Sequence, residues 1–74
     1  MSSDKHALLE AVGSRIRDLR KQNGWTQTDL AVILDLSRGH ISDIEQGKRE
    51  PGLITLQIIA SGLGTTMAEL LSGL

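Results

Sequence analysis

The 74-residue sequence predicts an all-α fold, a compact domain of five short helices, and three observations carry that reading. Apolar residues recur at spacings of three and four, the stripe that one buried helical face requires. Thr or Ser stands ahead of several of these stripes as a start signal, and glycine stands just behind them as a stop. A chain this short makes one domain at most, near the size where a single core barely offsets chain entropy, so self-association is a natural source of further burial.

Leu9, Val12, Ile16 and Leu19 mark the first helix, from about Ala7 to Asn23, and Gly24 ends it as a left-handed cap. Trp25, the only aromatic residue, is expected to cap the core between the first two helices; no second aromatic accompanies it to stack on bases. Thr26 with Asp29 is a capping box opening a second helix through about Leu34, with Leu30, Ala31 and Leu34 facing inward. Asp35 and Leu36 form the turn. Ser37 is then the N-cap of a third helix, Arg38 to about Gln46, closed by Gly47. Pro51 suits the start of a fourth helix, in which Leu53, Leu56, Ile59, Ala60 and Leu63 supply the buried stripe before Gly64. Thr66 with Glu69 is a second capping box for a last helix, Met67 to about Leu71, whose Leu70 and Leu71 are expected to cover the core. Met1 to Lys5 are expected to be disordered, and residues 1–74 otherwise form one domain without repeat or linker.

With no cysteine, disulfides, thiolate zinc sites and thiol catalysis are excluded. The N-terminus lacks the basic start and long apolar run of a signal peptide, so the expected location is the cytoplasm, with no membrane partner. A net charge of −1 is low for a nucleic-acid binder. Distribution matters more than the sum, because seven of the eight basic residues lie between Arg15 and Arg49 while the stretch beyond Pro51 carries only Glu69. The residues give catalysis little: His6 and His40 lie 34 apart with no carboxylate spacing for a metal. Gly62 and Gly64 lack the third glycine and preceding strand of a nucleotide loop, so no cofactor or metal is implied.

At 100° per residue the third helix places Ile41 and Ile44 on its buried side with Ser37. Gly39, Ser42, Asp43 and Gln46 point the other way, flanked by Arg38 and His40. Arg can pair bidentately with guanine, Asp can accept from the cytosine amino group, and Ser or Gln can bond bases or phosphates. Two short helices about a tight turn, the second with such a face, are how a protein sets one helix in the major groove while the other braces it. Alone, the same surface is more readily the wet face of a short helix.

From IRDLRKQNGWTQTDLA through HISDIEQGKREP to LQIIASGLGTTMAELL, the chain resembles the phage-repressor helix-turn-helix family (Cro/cI-like, also called XRE), with its lambda-repressor-like fold. The resemblance implies a sequence-specific transcriptional regulator that binds double-stranded DNA, as a homodimer on a roughly palindromic operator. It implies that Gln27 meets a phosphate and that Arg38, Gly39, Ser42 and Asp43 face bases or the adjacent backbone. Ser37, His40, Gln46 and Lys48 complete the expected DNA-binding set. It also implies an ion pair between Arg20 and Glu45 that orients the third helix.

The sequence departs from that pattern in places. Asp35 stands where Gly is commonest, and Asp tolerates positive φ better than most residues. Gly39 brings no side chain to a base-facing position, so readout should lean on Arg38 and Asp43. His40 replaces a frequent aromatic, and a phosphate contact from an imidazole would be pH-sensitive. Val32 and Ile33 fall where the family is polar, and with Ile54 and Ile58 they leave apolar surface for a partner. The dimer contact is expected on the fourth and fifth helices, with Ile54, Ile58, Leu71 and Leu74 as candidates. Restriction-modification controllers, phage or plasmid repressors and antitoxins all resemble this chain, and a protein-interaction module without DNA binding is the rival from another class. The residues name no protein partner, whether a toxin or RNA polymerase.

Overall fold

In the computed structural model, which describes residues 2–74, five helices follow in order: α1 Ser2–Gln22, α2 Gln27–Leu34, α3 Arg38–Glu45, α4 Leu53–Gly62 and α5 Met67–Leu70. Among the described residues there is no strand. α1 starts five residues before the expected Ala7, so Ser2 to Lys5, expected to be disordered, stand in its first turn; Met1 lies outside the described residues. Nothing in that stretch breaks a helix. Asp4 complements the positive N-terminal end, and His6 Nε2 stands 3.1 Å from Glu10 Oε1 one turn on.

The caps explain where the inner helices begin. Thr26 Oγ1 accepts from the Asp29 amide (3.0 Å) and Asp29 Oδ2 accepts from the Thr26 amide (2.8 Å), a full capping box. Ser37 Oγ accepts from the His40 amide at 3.0 Å. At α5 only half of the expected box forms. Thr66 Oγ1 accepts from the Glu69 amide (3.1 Å), while the Glu69 carboxylate accepts from the Thr65 hydroxyl (2.9 Å). α4 begins at Leu53 rather than at Pro51, because Gly52 is its N-cap in extended backbone and makes no side-chain cap bond. Gly24, Gly47 and Gly64 each take positive φ just past a helix end, as left-handed termination requires.

The turn between α2 and α3 forms without glycine. Asp35 sits in the left-handed region (φ 56°, ψ 44°), and Leu36 N donates to Ala31 O at 2.9 Å to close α2. For an L-residue this conformation costs about 1–2 kcal/mol, and a short polar side chain lowers that cost.

α3 packs between α1 and α2, α4 leans on α2 and α5, and α5 returns to α1. Ile16, Leu30, Ile41, Ile44, Ile59 and Leu70, drawn from all five helices, are fully buried at the centre. Trp25 is half-buried against this core, consistent with a cap between the first two helices. Leu71 departs from expectation: the helix has ended, Leu71 is its C-cap, and its side chain is exposed while Leu70 alone turns inward. The crossing of α1 and α3 depends on Gly13, where a Cβ would stand 2.3 Å from Ile44 O and 2.6 Å from Glu45 O.

Two glycine substitutions are expected to act in opposite directions. Gly13→Ala forces backbone apart and should cost about 1–3 kcal/mol. Gly39→Ala, where a Cβ meets nothing within 4 Å, should stabilise the chain by up to about 1 kcal/mol through helix propensity. Urea unfolding of both variants checks the pair; equal effects of one sign would contradict the crossing described.

Candidate nucleic-acid interface

The site is built from the inside. Glu45, in the last turn of α3, is 2% exposed, and its carboxylate accepts from Arg20 Nε at 2.7 Å and Arg20 Nη2 at 3.0 Å. This is the bidentate fork that a guanidinium offers a carboxylate. Arg20, itself buried, also donates from Nη1 to Trp25 O at 2.8 Å, tying the α1–α2 connection to the same node. Gln27 Nε2 donates to Glu45 Oε1 at 3.1 Å, and Arg17 Nε lies 3.6 Å from that oxygen. One carboxylate therefore fastens α3 to both α1 and the N-terminus of α2.

Burial alone pushes the Glu45 carboxyl up, but hydrogen bonds from Arg20 and Gln27 and the charges of Arg20 and Arg17 hold it below the ordinary carboxylate range. The hydrogen bond to Glu45 raises Arg20 above its ordinary value against the cost of burial. Among the described residues no buried side-chain polar atom lacks a partner, so the node is fully satisfied.

With its inner face fixed, α3 presents a defined outer edge. Ser37, Arg38 and Gly39 at its start are exposed, as are Gln46 and Lys48 at and beyond its end. His40, Ser42 and Asp43 are half-buried. Ser37 was placed with Ile41 and Ile44 by helical projection, yet it lies exposed, because an N-cap in extended backbone (φ −78°, ψ 153°) leaves that projection. Asp43 is less open than its outward position suggests, since the chain after α3 folds back and Lys48 N donates to Asp43 O at 2.9 Å. Ser42 Oγ accepts from Gln46 Nε2 at 2.8 Å, coupling two residues of the outer edge. Gln27 stands at the edge of this surface with one amide hydrogen spent on Glu45, leaving the other for a partner.

The basic run on α1 is not a uniform solvated face. Arg15 Nη1 donates to Leu70 O (3.0 Å) and Ser72 O (2.6 Å), clamping the end of α5, and Arg20 is consumed by Glu45. Arg15, Arg17 and the contact from Gln27 to Glu45 escaped sequence reasoning because each joins positions far apart in the chain. For Arg17 a signal existed: it lies three residues before Arg20, on the same side of α1. Among the described residues no group of three or more His, Asp or Glu could hold a metal, and no helix is long and apolar enough to cross a membrane.

A family described as helix-turn-helix matches residues 16–70. The HTH-type transcriptional regulator DdrOP3 of Deinococcus deserti is 41% identical over 59 residues, which are 80% of this chain and 46% of that protein. The chain thus spans less than half of that relative. Control protein C.MunI of a Mycoplasma species is 41% identical over 61 residues, 81% of this chain and 82% of its own length. The crystal structure of the restriction-modification controller protein C.AhdI from Aeromonas hydrophila superposes with a TM-score of 0.83 at 33% identity, covering 86% of this chain and 97% of that one.

Two outcomes test the node. Removing either Arg20 or Glu45 alone should cost about 3–5 kcal/mol, because the other charge is left buried, and a double-mutant cycle should show strong coupling. Because the folded Glu45 carboxyl titrates below its unfolded value of about 4.3, its contribution is present above that pH. It is lost as pH falls further, through the folded value. Denaturant unfolding from pH 7 to pH 3 should therefore show a loss in the native chain that Glu45→Gln does not share; parallel pH profiles would contradict the assignment.

Proposed function

This chain belongs to the helix-turn-helix family, and on that premise we propose that it binds duplex DNA with α3 in the major groove and regulates transcription from the operator it occupies. The observation that carries the reading is the buried Glu45 node, which leaves the exposed start of α3 as a rigid edge of small and hydrogen-bonding residues. Arg38 pairs with a guanine and Asp43 accepts from a cytosine amino group. Ser37, Gly39, His40, Ser42, Gln46 and Lys48 lie along the groove wall, and Gln27 holds a phosphate at the start of α2.

The acting species is a homodimer on a roughly palindromic operator. Exposed apolar side chains support this: Ile54 is 72% exposed, with Ile58 beside it on α4 and Leu71 and Leu74 at the chain end. A two-fold pair would set its reading helices about 34 Å apart on one DNA face. Among possible genetic settings, a restriction-modification controller is favoured by the likeness to C.AhdI, a controller of that kind, at a TM-score of 0.83. A reporter placed behind the chain's own upstream region, with and without the chain supplied in trans, tests that regulatory role.

Against a library of single-base operator variants at fixed salt, Arg38→Ala should lose about 1–3 kcal/mol on the preferred operator and relax choice at one base pair. Gln27→Ala should weaken every variant alike. Uniform weakening by Arg38→Ala would demote Arg38 to a phosphate contact. Sedimentation should show a dimer at tens of micromolar or on DNA; a monomer under both conditions would overturn the dimer.

A further inference from the structure

We infer that Arg17 is a second phosphate-binding residue, paired with Gln27 on one backbone phosphate of the duplex; the inference rests on the DNA-binding reading above. Charge accounting at the node motivates it. The Glu45 carboxylate is already neutralised by the bidentate fork of Arg20 at 2.7 and 3.0 Å, with both groups buried. Arg17 adds a further positive charge to the same node without a carboxylate of its own. Its Nε is 3.6 Å from Glu45 Oε1, and its Nη2 reaches only the backbone Glu45 O at 3.4 Å. The side chain is 39% exposed, so this surplus charge stands at the surface and not inside the core.

Position supplies the second strand. Arg17 Nε and Gln27 Nε2 approach the same oxygen, Glu45 Oε1, so the two head groups stand side by side where α1, the start of α2 and the end of α3 meet. Each has spent part of its donor set on Glu45 and keeps further N–H groups for another acceptor. An anion seated there neutralises the surplus charge and receives donors from a guanidinium and an amide held by one buried carboxylate. A phosphodiester, singly charged and an acceptor only, matches that donor-only site, whereas a base edge presents donors as well as acceptors. Arg15, by contrast, is occupied by the carbonyls of Leu70 and Ser72.

The test is the salt dependence of binding to an operator duplex and to a random duplex, for the native chain, Arg17→Gln and Arg17→Lys. Loss of one phosphate contact should reduce the slope of log affinity against log salt by about 0.9 for Arg17→Gln. Between 50 and 200 mM salt the native chain should then lose roughly three- to fourfold more affinity than Arg17→Gln. Both duplexes should be affected alike, and Arg17→Lys should keep the native slope. An unchanged slope in Arg17→Gln, with native binding intact, overturns the inference. Weakened operator binding at an unchanged slope also overturns it, by making Arg17 a support for α3 alone. If the native chain itself binds neither duplex at low salt, the DNA-binding reading falls instead.

Discussion

One buried carboxylate governs how this domain is put together. Glu45 sits at the end of α3, out of water, and the neighbouring elements are referred to it: Arg20 from α1, the Trp25 carbonyl through Arg20, and Gln27 from α2. An ion pair removed from water is not by itself a large source of stability, because desolvation offsets most of the attraction. Its consequence is geometric. Apolar contacts among Ile16, Leu30, Ile41 and Ile44 would tolerate some rotation of α3, whereas a bidentate fork and an amide donor converging on two oxygens do not.

The same economy shapes the electrostatics. A chain with net charge −1 has few cations to spare, and the fold spends two of them internally, Arg20 on Glu45 and Arg15 on the end of α5. The cations left exposed are Arg38, Lys48 and Arg49 on and just after α3 and Lys5 and Lys21 on α1, with Arg17 part-exposed beside Glu45. A modest basic surface on a neutral body gives weaker general attraction to DNA than a strongly basic one would.

Much of this was legible in the sequence because it is local. Caps at Thr26 and Ser37, glycine stops at Gly24, Gly47 and Gly64, and stripes such as Leu56, Ile59, Ala60 and Leu63 depend on residues within a turn or two of one another. The pairing of Arg20 with Glu45, 25 residues apart, was available only through the family resemblance, since no local pattern encodes it. No local pattern marks Gly13, although it is where α1 lets the α3 backbone through. Expectations of burial failed at Ser37 and Leu71 because both are cap residues, where the period of 3.6 no longer holds, and at Leu53, expected in the buried stripe but 72% exposed as the first residue of α4. At the residues proposed to face DNA, the structure adds the exposure of Arg38 and the bond from Gln27 to Glu45, neither of which a local pattern encodes.

The Glu45 node is formed in the free protein, so α3 stands ready-made for the DNA contact proposed above. Nuclear magnetic resonance of the Arg20 Nε proton during titration with operator duplex tests it most directly. A preformed node predicts a slowly exchanging Arg20 Nε proton before DNA is added, little changed at saturation, while the amides of Gln27 and of Ser37 to Asp43 shift. A rapidly exchanging Arg20 Nε proton in the free chain, or shifts confined to α4 and α5, would contradict it.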